Sequence, residues 1–328
     1  MGKYKQKMSG GFYLLCFVIA VFILLGIFAQ GFYTINNLMS ILNTFSYTLI
    51  AAIGMNMIMI TGNIDISAGS AMSLICIVCA ALGYMHVPLA GLLAAGILIG
   101  GLLSLLNAYL TVKLNVASMV ITLATSQIFA GVLPIFNEST LYNLPASFNW
   151  LSREAKIFGV IPGSAVIALI VTVFFVLFMK YSKFSKKLYA IGNNAHGATL
   201  IGVDVNKVLM VTYLTAGALF GISAVIIVTA AARVTNVMAS GMEFNLIASV
   251  ILGGTNPAGG SGKVSGTILG ALLLSIITSA IQYIGLSSNY QDVVKGFIII
   301  TTVIAISMKN IKRRRNIAEE KERMVAEI

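Results

Sequence analysis

Acidic residues are scarce in this sequence. There are 10 Asp and Glu against 21 Lys and Arg in 328 residues, and Asp65 is the only acid before Glu138. Charged residues of both signs make up 9% of the chain, and hydrophobic residues 58%. A soluble domain carries roughly 25% charged residues. The deficit argues against a soluble enzyme of any fold and leaves no stretch polar enough for a separate soluble domain. Cysteine is rare too: Cys16, Cys76 and Cys79 all lie inside apolar runs. Cys76 and Cys79 have CxxC spacing, but no further Cys or His stands nearby. The pattern therefore argues against a zinc site and a disulfide framework, and the thiols read as small hydrophobes. No metal site is expected.

What is present is a succession of apolar windows. A helix crosses a bilayer with ~20 apolar residues. Ten windows fit: about 11–30, 40–60, 67–85, 88–112, 117–136, 163–180, 208–231, 244–256, 264–285 and 292–309. The eighth is short for a full crossing and is expected to be tilted, broken or re-entrant. The first follows Lys3, Lys5 and Lys7 and lacks a small-residue cleavage site, so it reads as an uncleaved span. With the N-terminus in the cytoplasm, 17 of the 21 basic residues fall in inside loops; only Arg153, Lys156, Arg233 and Lys295 fall outside. The positive-inside rule then places both termini in the cytoplasm. It also explains the net charge of +11 better than nucleic-acid binding does. His86 and His196 face opposite sides under this topology, so they cannot cooperate in hydrolysis. The fold class is an all-α polytopic membrane protein, one transmembrane domain over 1–328.

Five windows precede the outer loop at 137–162 and five follow it. An odd number per half inverts the second half, which gives a 5+5 inverted repeat with halves of about 1–136 and 163–309. The glycine-rich breaks at 61–70 and 253–270 are the expected counterparts. The tail at 309–328 is a basic anchor followed by mixed charge.

Asp65 sits in the break Thr61–Ser70, TGNIDISAGS. A carboxylate between apolar spans needs a partner, water or an aqueous boundary, and broken helix at such depth must be buried in protein or line a cavity. Asp65 is expected to hold the break together by accepting backbone N–H bonds or pairing with a base. In the second break, Gly262-Lys263 invites a phosphate-loop reading. Pro257 stands where that pattern needs Gly, and Val264 where it needs Ser or Thr, so it fails twice. Ionisable groups are nearly absent within spans, which disfavours proton or ion coupling. The polar residues within spans are neutral. Among them Asn43, Asn56, Asn107, Thr125 and Gln127 are candidates for the path of an uncharged polyol, the plainer reading being that they tie helices together.

Four stretches carry a family resemblance: Gly62–Ser70 (GNIDISAGS), Asn107–Thr125, Leu188–Val203 (LYAIGNNAHGATLIGV) and Glu243–Gly270, with Leu252-Gly253-Gly254-Thr255 and Gly266-Thr267. With these the chain resembles the inner-membrane permease subunits of ribose-type ABC sugar importers. The resemblance implies a permease in the bacterial cytoplasmic membrane. Its partners would be a second permease chain, an extracytoplasmic solute-binding protein, and a cytoplasmic ATPase that uses ATP and Mg, this chain binding no cofactor. It also implies that the inner loop 181–207 docks on the ATPase, with Tyr189, Gly192, Asn193, Asn194, Ala198 and Gly202 as its coupling residues. The family's signature loops at span breaks fall on Gly62, Asp65, Ser67, Gly69, Gly253, Gly254 and Gly266. Gly197-Ala198-Thr199 and Ser261 depart from the family pattern and bear on partner identity. The function expected is ATP-driven import of a sugar or sugar-like solute, without a catalytic site in this chain. The rivals are a branched-chain amino-acid permease and a partner-independent facilitator.

Overall fold

The structure, a computed structural model, describes residues 10–28, 31–136, 142–143, 156–157, 161–231 and 233–284, with single positions beyond. Its helices are α1 (Gly10–Phe28), α2 (Ile35–Ile60), α3 (Ala68–Tyr84), α4 (Leu89–Leu114), α5 (Ser118–Phe136) and α6 (Gly163–Tyr181). They continue as α7 (Lys183–Asn193), α8 (Ala195–Leu200), α9 (Val205–Ala230), α10 (Met242–Leu252) and α11 (Val264–Tyr283). Nine of the ten apolar windows coincide with helices. The tenth, at 292–309, lies mostly outside the described residues. So do the tail at 309–328 and most of the loop at 137–162, with Glu138, Trp150, Arg153 and Glu154. Six helices, α2, α4, α5, α6, α9 and α11, are long and apolar enough to cross a membrane; α1, α3 and α10 are shorter apolar helices.

The helices stop where the sequence supplies a cap. Asn115 ends α4 in the left-handed conformation, at φ 53°, which Asn tolerates better than most side chains. Ser182, Asn194 and Asp204 open α7, α8 and α9 by accepting bonds from the backbone N–H of Phe184, Gly197 and Lys207. Short polar side chains at this position pair N–H groups that the first turn leaves bare.

The long helices α2 and α9 form the centre. From Thr48 to Ile60 every residue of α2 is buried. Helix α9 packs on α2, α3 and α4, while α11, α10 and α6 pack on α2. Glycine sets the closest approach. Cβ atoms on Gly96 and Gly100 of α4 would meet the carbonyls of Gly221 and Gly217 on α9, and the converse holds for Gly217 and Gly221. Both helices thus carry Gly-xxx-Gly and bring their backbones into contact, the small-residue packing that replaces a hydrophobic driving force in lipid.

Four short strands add little area and fix one end. β1 (Tyr142–Asn143) pairs antiparallel with β4 (Arg233–Val234), and β2 (Lys156–Ile157) with β3 (Ile161–Pro162). The first pair joins the loop after α5 to the segment after α9. The α2–α3 break, the start of α5, helix α7 and the glycine loop after α10 meet one another elsewhere, through the contacts described next.

Candidate coupling and translocation site

The segment expected to couple to an ATPase, 181–207, and the two glycine-rich breaks form one structure. In α7 the buried side chains Ser185, Leu188 and Ile191 face the bundle. Leu188 and Ile191 belong to the same apolar cluster as Ile53, Met57 and Ile60 of α2. The last turn of α7 then lies backbone to backbone on its neighbours. A Cβ on Gly192 would run into the Ile60 carbonyl and the Gly260 amide. That carbonyl accepts the Gly260 N–H at 2.9 Å. Gly259, at φ 88°, lies against the Gly62 amide and the Gly192 carbonyl. The Tyr189 hydroxyl donates to the Gly262 carbonyl at 2.8 Å, and partial burial raises its pKa above the ordinary phenol value. Three segments far apart in sequence, 60–62, 189–193 and 259–262, therefore lock together. At these contacts a side chain would separate the backbones.

Other expected coupling residues serve the same turn. Asn193 Nδ2 donates to the Tyr189 carbonyl, and its Oδ1 lies where a Cβ on Gly260 would be. Asn194 caps α8, Ala198 is buried, and Gly202 turns the chain at φ 81°. In the second break, Gly253 and Gly266 touch backbone to backbone, and Gly254 takes φ 87° in open space. A cavity of about 570 Å³ opens here, bounded by Gly11, Tyr189, Gly254, Ser261, Lys263 and Leu269 among others.

The break around Asp65 rests on α5. The Ile64 N–H donates to Ser118 Oγ at 3.1 Å, and the Ile66 N–H to Thr122 Oγ1 at 3.0 Å. Ser118 and Thr122 are one helical turn apart, so one face of α5 receives both N–H groups of the extended backbone. Buried backbone needs such partners. Asp65 is fully buried; its Oδ1 accepts from the Ser67 backbone N–H at 2.9 Å and from Ser67 Oγ at 2.6 Å. Asn107 Nδ2 on α4 donates to Ser67 Oγ at 2.7 Å. Gly69 admits the carboxylate of Glu243 and the Ala239 carbonyl against α3, and Ser73 Oγ accepts the Ala239 N–H. The start of α3 thereby meets the start of α10.

The five candidate path residues do not converge. None lines the cavity at the glycine loop. Asn43 Oδ1 accepts from Ser164 at 2.5 Å and Asn56 Oδ1 from Thr255 at 2.7 Å, each tie crossing between segments. Asn107 joins the Asp65 network, and Thr125 donates back to the Thr122 carbonyl. Gln127 is exposed on α5. Sequence reading missed Ser118 and Thr122 as partners of the break. The Ser-x-x-x-Thr spacing at the start of α5 is the one signal that could have pointed to them.

Residues 37–303 match the family model described as branched-chain amino acid transport system / permease component. The chain belongs to this family. It is similar to the ribose import permease protein RbsC of Escherichia coli (strain K12), at 29% identity over 303 residues covering 89% of this chain and 93% of RbsC. The probable ABC transporter permease protein YphD of the same strain is 30% identical over 296 residues, 89% and 88% of the two chains. The D-allose transport system permease protein AlsC, also of that strain, is 28% identical over 296 residues, 90% of each. No solved structure matches the chain. The family description names branched-chain amino acids, whereas RbsC and AlsC are named for sugars.

Proposed function

We propose that this chain is the membrane-spanning permease subunit of an ATP-driven importer for a sugar or sugar-like solute delivered by an extracytoplasmic binding protein. The observation that carries the reading is its full-length similarity to sugar import permeases, together with the locking of the inner-loop helix α7 onto the α2–α3 break. A push on α7 is transmitted to the Ile60 carbonyl and the 259–262 loop by backbone contact, with no compliant side chain between. That is the mechanical link an importer needs between a nucleotide-hydrolysing partner and its membrane helices. The chain contributes no ATPase site; ATP and Mg belong to the partner.

In this reading the chain crosses the bacterial cytoplasmic membrane ten times with both termini inside, as a 5+5 inverted repeat. By element count the counterpart of the 61–67 break is 231–241, not 253–263. The contact of Gly69 with Ala239 and Glu243 supports that pairing. The partners are a cytoplasmic ABC ATPase docked at 181–207, a second permease chain and a binding protein received at the end that bears β1 and β4. The signature glycines Gly62, Gly253 and Gly266 let the backbones of the breaks come close to their neighbours.

Mild-detergent purification followed by mass spectrometry tests the assembly, and is expected to recover ATPase, second permease and binding protein together. Reconstituted with them, the complex accumulates a sugar and not leucine, and only with ATP. Concentrative uptake by the chain alone, or labelling of a cysteine placed in 181–207 only from outside, sinks the proposal.

A further inference from the structure

The loop that follows α6 divides by charge. Four lysines stand close together, Lys180, Lys183, Lys186 and Lys187, and each is exposed. No acid occurs from Ile157 to Val203, and no further Lys or Arg from Leu188 to Asn206. The helices that pack on α7, namely α2, α6, α8 and α9, carry no acid either, and nor does the 253–263 loop. The one ion pair among the described residues, Lys207–Asp204, lies beyond this stretch. The lysine cluster has no counter-charge in its own surroundings.

Helix stability does not explain where the lysines stand. Ser182 caps α7, so Lys183 opens a first turn that holds no acid, and Lys186 and Lys187 follow directly. Cations at that end oppose the helix dipole. Lys183 also meets Lys186 and Lys187 at the (i, i+3) and (i, i+4) spacings, where like charges repel. Membrane topology asks only that a loop be basic, not that its charge gather on one helix start. An anion held against the outside of the helix reverses both effects.

The position of α7 identifies the anion within reach. One residue, Ser182, joins it to α6, whose apolar run ends at Lys180-Tyr181. Ser185 Oγ lies 2.8 and 3.0 Å from the Met179 and Ser182 carbonyls, and the Phe184 ring meets Phe178. These contacts fold α7 across the end of α6. At its other end Gly192 touches the carbonyl of Ile60, the last residue of α2, and the Gly260 amide just before α11. Both ends of α7 thus lie where membrane helices end, and the helix, ~16 Å long, runs along the membrane surface. Its buried Ser185, Leu188 and Ile191 face the bundle, and its lysines face out. Phospholipid phosphates lie at that level, and an anionic leaflet attracts Lys within about a Debye length, ~10 Å. The rest of the loop has other chemistry: its exposed side chains include Leu200 and Ile201, at 77% and 75%.

We propose that the lysine face of α7 is a binding surface for anionic phospholipid headgroups. Lys180 adds to it from the end of α6, its Nζ 4.9 Å from the centre of the Tyr181 ring. The headgroups supply the missing counter-charge and hold the first turns of α7 in the membrane plane. The lipid contact is independent of what docks on the loop. Its consequence for transport rests on the function proposed above: the ATPase takes the aliphatic stretch at Leu200 and Ile201, and lipid braces the helix that transmits the push.

Native mass spectrometry of the full-length chain, in detergent with equal parts phosphatidylglycerol and phosphatidylcholine, tests the surface. The chain is expected to retain phosphatidylglycerol in preference. Lys183→Gln, Lys186→Gln and Lys187→Gln should each weaken that preference about fivefold, whereas the three Lys→Arg changes together keep it. A phosphatidylglycerol with a photoreactive headgroup should label residues 180–187 of the unmutated chain, a readout that needs no variant to fold. Undiminished preference in the triple Gln variant, or labelling only outside α7 and Lys180, overturns the proposal. So does loss of the ATPase from the triple Gln variant purified without phosphatidylglycerol, because the lysines would then serve the ATPase. In the complete transporter, ATP-driven uptake should be faster in vesicles of the equal mixture than in phosphatidylcholine alone, and the triple Gln variant should lose that difference. Uptake that ignores lipid while retention persists overturns the brace and leaves the surface.

Discussion

The Cα of Gly192 rests against the Ile60 carbonyl, so the end of the short helix α7 and the end of the central helix α2 share one backbone contact. A methyl group at 192 would overlap both Ile60 and the Gly260 amide, which are bonded to each other. Neither is the flexible tip of a side chain, so relief requires a backbone shift, at a cost of ~1–3 kcal/mol. Gly192→Ala is expected to insert normally but to lose ATP-coupled uptake at least about tenfold, the equivalent of ~1.4 kcal/mol. Uptake by reconstituted complexes, with membrane insertion as the control, checks it. Unchanged coupling would show that α7 does not act through α2.

The α4–α9 seam makes a second expectation. Gly100 and Gly217 face each other with carbonyls in the space that side chains would fill. Gly100→Leu forces α4 away from the central helix α9. Overpacking of this kind costs ~3 kcal/mol or more once backbone must move. The detergent-solubilised chain should unfold well below the unmutated temperature. Gly131→Leu on α5, where nothing lies within 4 Å, should leave the isolated chain unaffected. Equal loss in both variants would mean that close packing at the α4–α9 seam is not what Gly100 supplies.

Much of the fold was legible because lipid imposes a simple code. Apolar windows such as 88–112 and 163–180 became α4 and α6 with edges moved by one or two residues. The glycine-rich breaks also showed, since glycine marks bends. What could not be read was which breaks meet. The contact of Gly192 with Ile60 and Gly260 joins positions whose separation no periodicity encodes. The roles of Asn56 and Asn107 were also open, because a neutral amide looks the same whether it faces solute or Thr255. Helix α7 stands apart: its apolar residues Leu188 and Ile191 are too few to mark a span, and the loop residues beside them concealed a buried face.

The Asn56–Thr255 pair allows the structural role to be measured. Thr255 Oγ1 donates to Asn56 Oδ1 at 2.7 Å, both side chains are fully buried, and Asn56 Nδ2 has no partner among the described residues. Removing one partner leaves another buried polar atom unsatisfied, at about 1–3 kcal/mol, whereas replacing both by apolar groups of similar shape can be nearly neutral. Thr255→Val alone should lower the unfolding temperature, and Asn56→Leu with Thr255→Val should recover most of the loss. A double-mutant cycle in detergent reads the coupling directly. Purely additive effects would show that the bond contributes nothing.

Asp204 makes the stability of the α8–α9 junction depend on pH. It caps α9 by accepting the Lys207 N–H at 3.0 Å and pairs with Lys207 Nζ at 3.1 Å. The backbone N–H bond and then the side-chain bond to Lys207 hold its pKa below the ordinary carboxylate value. A depressed folded-state pKa favours the folded form at every pH above the unfolded-state value. That contribution fades as pH falls through the ordinary carboxylate range towards the depressed one. The group is solvent-exposed, so the effect is small and should shrink with added salt. Asp204→Asn keeps a capping oxygen and removes the charge. Its unfolding temperature should match the unmutated chain at acid pH, fall slightly below it at neutral pH, and lose the acid-dependent step. An acid step of equal size in Asp204→Asn would place the titrating group elsewhere.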